Sequence, residues 1–275
     1  MRPEYRTFEF GEQHQCEIRD AWRTVGPFLV RHDALPTNPV QIGAYNYPKY
    51  ASVPAMYHGL FRFGKDDHSH FISLSSGRAN FPFFPDQLNL QQTMVHETAH
   101  ALHREYGDWQ EPQPNPFNYV YRNIFDEFVS REFRLHQQAG SPTPYTLADV
   151  MREGFAKYAE RLLLKDRAKT GTIFNRIAVK RENKKMHTSS AASVDLMREN
   201  TEIDAIGLED LGCDMFDRYV SRTQGERQTS LRIIAQLDVN YANGFPLYTK
   251  PGEFNPEFLH FYHHPEELPV APLRT

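Results

Sequence analysis

The residues from Gln87 to Tyr106 contain neither glycine nor proline, and His96-Glu97-Thr98-Ala99-His100 lies within this run. Gly107 ends it, so the run predicts a single helix. Residues four apart project side by side from a helix, and the imidazoles of His96 and His100 can therefore reach one ion at about 2.0 to 2.1 Å, the usual distance from zinc to nitrogen. This HExxH pattern predicts a zinc site on a helix, and no other feature constrains the fold as strongly.

Glu97 is the candidate general base of this site. It lies about 100° around the helix from His96, so its carboxylate can face a water at the metal without being a ligand. Random placement of the 13 histidines and the glutamates among 275 residues gives roughly 0.04 such patterns. The alternative interpretation is a pair of structural histidines on a buried helix.

A catalytic zinc site needs a third protein ligand. The extended motif HExxHxxGxxH is excluded, because His103 occupies its glycine position and Tyr106 its last histidine position. His103 shares the face of His100 but lies about 4.5 Å further along the helix axis, so we expect it to line the cleft or to bind substrate. The remaining route is a carboxylate from a following helix, for which the candidates are Asp126, Glu127 and Glu132.

Apolar periodicity predicts two further helices, at residues 117–139 and 145–169. Two short apolar runs around the turn Gly64–Asp67 predict a β-hairpin, with Phe71–Ser75 in its second strand. Pro27, Pro36, Pro39, Pro48 and Pro54 break up residues 1–57 and favour short strands and loops over long helices there. Residues 180–193 are polar and predict a mobile linker. The last third is predicted to be helical around residues 208–241 and then to form an extended, proline-rich tail.

The segment Phe125-Asp126-Glu127-Phe128, followed by Phe133-Arg134-Leu135, is similar to the glutamate helix of the anthrax lethal-factor-like metallopeptidases, which belong to the gluzincins. In that family, a glutamate followed by Phe and then by a Phe-Arg-Leu run supplies the third zinc ligand. The resemblance therefore implies Glu127 as the ligand. Glu132 lies nearer the middle of the apolar stripe and remains the alternative. Arg131 stands where the family tends to carry an acidic residue that orients the histidines.

The same resemblance implies two further features of the site. A tyrosine before the ligand glutamate stabilises the oxyanion in the family, and Tyr119 and Tyr121 are the candidates here. Gluzincins also bind the substrate backbone along the edge of the strand before the motif helix, and Phe71–Ser75 has that position in the sequence. His68 and His70 flank this strand and are expected to be exposed polar residues.

The expected fold class is α+β: a mainly helical, zincin-like metallopeptidase core with a small N-terminal β-sheet, whose edge strand precedes the HExxH helix. Residues 1–85 form the β-rich part, residues 86–171 the helical zinc-site core, and residues 172–275 a C-terminal helical region with an extended tail. These three parts are compatible with one continuous domain.

Charge and apolar patterning exclude several classes of partner. Lys and Arg number 31 against 35 Asp and Glu, a net charge of −4, which argues against nucleic-acid binding. No apolar run approaches the roughly 20 residues that span a bilayer. Cys16 and Cys213 are too few for a disulfide framework and are expected to be reduced thiols. We expect a cytoplasmic protein, or one exported without a cleaved signal peptide as a translocated effector.

The expected function is a zinc-dependent endopeptidase that binds one Zn²⁺ per chain through His96, His100 and Glu127, with Glu97 as the general base. Its partner would be a protein substrate, and a host-cell protein if the chain is an effector. Two alternatives remain: a metal-stabilised regulatory or binding protein without proteolysis, and a zinc hydrolase of a non-peptide amide.

Overall fold

The structure of the protein is a computed structural model that describes residues 6–7, 12–45, 55–62, 68–75, 87–107, 145–170, 205–224, 229–250 and 253–272. The helices are α1 (Glu12–Arg31), α2 (Gln87–Tyr106), α3 (Leu147–Thr170), α4 (Ala205–Thr223), α5 (Leu231–Ala235), α6 (Val239–Ala242) and α7 (Pro256–His263), followed by a 3-10 turn at Pro265–Glu267. The strands are β1 (Arg6–Thr7), β2 (Val40–Tyr45), β3 (Ala55–Arg62), β4 (His68–Ser75), β5 (Tyr248–Lys250) and β6 (Glu253–Phe254). The described chain is thus mostly helical with a small sheet, which agrees with the α+β class.

The 20-residue helix α1 contradicts the prediction of short strands and loops in residues 1–57. Pro27 lies inside this helix, where it removes one backbone N–H from the hydrogen-bond ladder. One face of the helix is buried at a spacing of three and four residues, and this burial offsets the lost bond. The prediction was wrong because it gave the prolines more weight than this periodicity. The buried residues are Ile18, Ala21, Val25, Phe28 and Leu29.

The main sheet has the strand order β1-β2-β4-β3. β2 pairs in parallel with both β1 and β4, while β3 and β4 form the antiparallel hairpin that the sequence predicts. The strand that precedes the HExxH helix, β4, is therefore internal, and the prediction that it is an edge strand was wrong. β2 occupies the side of β4 that was expected to be free. Among the described strands, β3 is the outer strand on this side of the sheet.

α2 spans the predicted residues and packs against α1, β3 and α3. Met94, Val95 and Leu102 belong to the hydrophobic core. Burial on several sides fixes the rotation of the helix, since each of these side chains has a defined partner surface. The HExxH residues are thereby presented between the outer strand β3 and the helix α3.

α3 confirms the predicted helix at residues 145–169. At its start, the backbone N–H and hydroxyl of Thr146 both donate to the Asp149 carboxylate, at 2.8 and 3.1 Å. Further along, α3 crosses α4 with backbones in contact, and a Cβ added to Gly154 would clash with the Cα of Gly212. This close crossing brings charged residues of α4 beside those of α3.

The C-terminal part is more structured than the expected extended tail. β5 and β6 form a small antiparallel sheet, and α7 follows it. The Asn255 side chain accepts a hydrogen bond from the Glu257 N–H, and Pro256 occupies the start of the helix, where its missing N–H costs nothing. Phe258 and Tyr262 are buried. The extended-tail prediction was wrong because prolines at a helix start do not oppose helix formation.

Two predicted segments, the helix at residues 117–139 and the linker at residues 180–193, lie outside the described residues, as do the boundaries proposed near residues 85 and 171. Described residues from all three proposed parts contribute to one hydrophobic core, which extends from Ile18 to Leu268. Among the helices of the described residues, none is both long enough and apolar enough to cross a membrane.

Candidate metal centre

Three side chains from α2 and α3 converge at one point. The Nε2 atoms of His96 and His100 lie 3.9 and 3.8 Å from Oε2 of Glu153, and the ligand atoms of all three residues lie within 4.8 Å of one another. A tetrahedral ion with bonds of about 2.1 Å separates its ligand atoms by roughly 3.4 Å. Each histidine-to-glutamate distance would have to shorten by about half an ångström, and the distance between the two histidine nitrogens by at most about 1.4 Å. The group of His96, His100 and Glu153 could therefore hold a metal ion.

The glutamate in this group was not among the sequence candidates. Glu127, Glu132, Tyr119 and Tyr121 lie outside the described residues, so their proposed roles stay predictions. A signal for Glu153 was present in the sequence: Glu153 and Glu160 are seven residues apart, two helical turns, on the helix that apolar periodicity predicts at residues 145–169. Two carboxylates on one face of such a helix indicate a buried cationic partner.

Glu160 orients the first histidine. Nδ1–H of His96 donates to Oε1 of Glu160 at 2.6 Å, which turns Nε2 toward Glu153, where it can act as a ligand atom once a metal ion displaces its proton. The Lys157 ammonium lies 3.5 Å from the other Glu160 oxygen and 3.2 Å from Glu209 on α4. Although burial opposes ionisation, Lys157 and His96 hold the pKa of Glu160 below its usual value. This is the carboxylate–histidine arrangement that fixes metal-ligand geometry in proteins.

The carboxylates around His96 favour a positive charge at its ring. Burial lowers the pKa of His96, but the hydrogen bond and charge of Glu160 and the charge of Glu97 outweigh it and raise that pKa to about 10. Burial raises the pKa of Glu97 to about 7, and the partial burial of Glu153 together with the charges of Glu209 and Asp149 raises the pKa of Glu153 to about 7. Burial and the neighbouring His96 charge hold the pKa of His100 well below its usual value. A dication at Nε2 of His96 would replace the proton that this nitrogen otherwise holds.

Glu97 lies between this group and the outer strand. Glu97 is buried, with only 6% of the residue exposed, and its carboxylate accepts a hydrogen bond from the backbone N–H of Tyr57 in β3. The carboxylate thus contacts β3 and interacts with the charges of His96 and Glu153, although it does not belong to the group of candidate ligands. A pKa near neutrality suits a group that takes and returns a proton.

The structure corrects two expectations about histidines. His103 was expected to line the cleft, but it is fully buried and packs on Phe155 of α3 with ring centroids 4.9 Å apart. Burial lowers the pKa of His103 to about 3, so its ring is neutral and forms part of the core. His70 was expected to be exposed, yet it is also fully buried, because Tyr57 and Glu105 satisfy both of its ring nitrogens.

Replacing Glu160 by glutamine is expected to weaken the binding of added Zn²⁺ by about 10- to 100-fold, because the neutral amide no longer stabilises the Nδ1–H form of His96, a candidate ligand. Competition with a chromophoric chelator measures this affinity. Glu209→Gln is the control for charge, since Glu209 contacts the same Lys157 and acts on His96 through its charge but makes no hydrogen bond to it among the described contacts. Equal zinc affinities for Glu160→Gln and Glu209→Gln would contradict the orienting role.

Comparison of the chain with models of protein families, with curated proteins and with solved structures gave no match. The functional argument therefore depends on the side-chain geometry of the described residues.

Proposed function

We propose that the protein is a zinc-dependent endopeptidase of the gluzincin type, with His96, His100 and Glu153 as zinc ligands and Glu97 as the general base. The observation that carries this proposal is the convergence of the three ligand atoms beside a buried fourth side chain, Glu97. A structural pair of histidines would not need two carboxylates from another helix.

The donor set fits zinc. Two imidazole nitrogens and one carboxylate oxygen are a common ligand set of catalytic zinc sites, in which the fourth position stays open for water or substrate. Calcium and magnesium prefer sites made of oxygen atoms, so they fit these ligands less well. The proposed zincin-like core also requires this arrangement: an HExxH helix beside an outer strand, with a glutamate ligand from a later helix.

When bound, zinc would supply Lewis-acid chemistry that polarises a carbonyl oxygen and brings the pKa of a neighbouring water toward about 7. The protein's own contribution is proton transfer and orientation. The Glu97 carboxylate, held by the Tyr57 N–H, takes a proton from the attacking water and returns it to the leaving amine. Glu160 keeps the proton of His96 on Nδ1, so that Nε2 remains a lone-pair donor.

The position of β3 favours a polypeptide over a small amide as the substrate. β3 is one of the two outer strands of the main sheet as described, and its Tyr57 N–H donates to the general base. An extended peptide can add to such an edge through main-chain hydrogen bonds, which places its scissile carbonyl beside the metal group. The edge therefore suits a protein substrate.

The test is an unbiased search for new protein N-termini in a cell lysate. We expect wild-type protein to generate new termini that are absent after treatment with Glu97→Gln protein, and absent when a chelator is added with the wild type. Identical termini in all three samples would contradict the proposal. One bound zinc per chain without any cleavage would instead indicate the metal-stabilised binding protein.

A further inference from the structure

A chain of three hydrogen-bonded side chains extends from the end of α2 to the outer strand. The Tyr57 hydroxyl lies 2.9 Å from Nδ1 of His70, and Nε2 of His70 lies 2.8 Å from Oε1 of Glu105. The His70 side chain is fully buried and that of Glu105 is 6% exposed. We call this chain the Tyr57–His70–Glu105 network.

Glu105 determines the direction of these hydrogen bonds. Its carboxylate also accepts from the backbone N–H and hydroxyl of Thr37, at 2.7 and 2.8 Å, and from the backbone N–H and side-chain amide of Asn38, both at 2.8 Å. Burial opposes ionisation, but His70 and these N–H groups hold the pKa of Glu105 below its usual value. Because the ionised carboxylate only accepts, Nε2 of His70 donates to it. With its proton on Nε2, His70 accepts a hydrogen bond from the Tyr57 hydroxyl at Nδ1.

Tyr57 is the point where the network meets the metal site. Its ring stacks on the ring of His100, with centroids 6.2 Å apart and planes at 22°. Its backbone N–H donates to the Glu97 carboxylate. The β3–β4 ladder changes register between Tyr57 and Gly59, where Gly59 has φ 123°, so the regular backbone pairing is interrupted beside this contact. A side-chain anchor at Tyr57 compensates for that irregularity.

We propose that the Tyr57–His70–Glu105 network is a positioning device that holds the Tyr57 backbone N–H on the general base Glu97. The inference rests on the proposed function, since it assigns Tyr57, His70 and Glu105 a role in that reaction. None of the three touches the reacting atoms. They act by fixing the strand from which the Glu97 hydrogen bond comes.

The kinetic test compares Tyr57→Phe with Tyr262→Phe. Both changes remove one tyrosine hydroxyl with a side-chain hydrogen bond, but that of Tyr262 goes to Asp214 in α4 and not to this network. We expect Tyr57→Phe to lower kcat by about tenfold, an effect of the size that the loss of one hydrogen bond produces. The KM should stay within about twofold, and the zinc affinity within about threefold, of the wild-type values. Tyr262→Phe should match wild type in kcat. Equal kcat for the two variants, or a change confined to KM or to zinc affinity, would overturn the inference.

A second measurement does not depend on turnover. Hydrogen exchange of the peptide that covers residues 55–62 should be faster in Tyr57→Phe and in Glu105→Gln than in wild type, and unchanged in Tyr262→Phe. If the wild type cleaves no substrate, while hydrogen exchange of residues 55–62 changes as expected in the variants, the strand anchor is supported and the proposed function is contradicted. If the wild type cleaves substrate and the exchange is unchanged in Tyr57→Phe, the positioning inference fails and the proposed function stands.

Discussion

Replacing Glu97 by glutamine is expected to leave one zinc ion bound per chain and to lower peptide cleavage at least about a thousandfold, within the range that general-base catalysis contributes. The amide has nearly the same shape and can still accept the Tyr57 N–H, but it cannot take a proton from water. The three proposed ligand atoms belong to other residues, so the metal should remain. Elemental analysis of the purified protein and progress curves on a substrate found in the lysate measure the two quantities.

Glu266→Gln is the control for this experiment. It makes the same chemical change at an ion pair with Arg222, between α4 and the C-terminal 3-10 turn. We expect its zinc content and its cleavage rate to equal those of the wild type. A Glu97→Gln protein that keeps more than about a tenth of the activity would show that another group accepts the proton, and the proposed mechanism would be wrong.

Replacing Glu153 by glutamine is expected to have the largest effect on the metal. Zinc affinity should fall by at least about 100-fold, more than for Glu160→Gln, because a ligand contributes more than the residue that orients it. Cleavage should fall with it at limiting zinc. Glutamine preserves the size of the side chain, which is 38% exposed, so the α3–α4 crossing should stay intact. Far-ultraviolet circular dichroism checks the fold, and chelator competition measures the affinity.

The same experiment decides between the third ligands that the sequence and the structure suggest. Glu127→Gln and Glu132→Gln should bind zinc as the wild type does if Glu153 is the ligand. A loss of affinity in Glu127→Gln with none in Glu153→Gln would instead support the ligand implied by the lethal-factor resemblance. Measuring all three variants side by side therefore identifies the carboxylate ligand.

Local elements of the fold were predictable because their causes are local. α2 was predicted from a run free of glycine and proline, α3 from its apolar periodicity, and the β3–β4 hairpin from two apolar runs around a polar turn. Where the prediction failed, in α1 and α7, prolines were present in helices that their surroundings tolerate. Burial of an apolar face in α1 and the first helical position in α7 outweighed the usual effect of proline.

The internal position of β4 could not be read from the hairpin, because the pairing that makes it internal comes from β2, a strand without a helix-like or hairpin-like signal. Whether a strand lies at an edge depends on which distant segment pairs with it, and strand pairing is a non-local contact. The burial of His70 follows from the same placement. Its partner Glu105 is 35 residues away, at the end of α2.

The amino-acid sequence by itself determined the first half of the candidate site: two imidazoles one helical turn apart with a glutamate between them, because the geometry of a single helix sets those distances. Only the tertiary structure selected Glu153 and Glu160 from the many carboxylates of the chain. That choice depends on the packing of α3 against α2 and on the close contact of Gly154 with Gly212, which together set how α3 faces the histidines. Contacts between residues more than 50 positions apart correspond to no fixed spacing that could be recognised in the sequence, because they arise from the way whole helices pack.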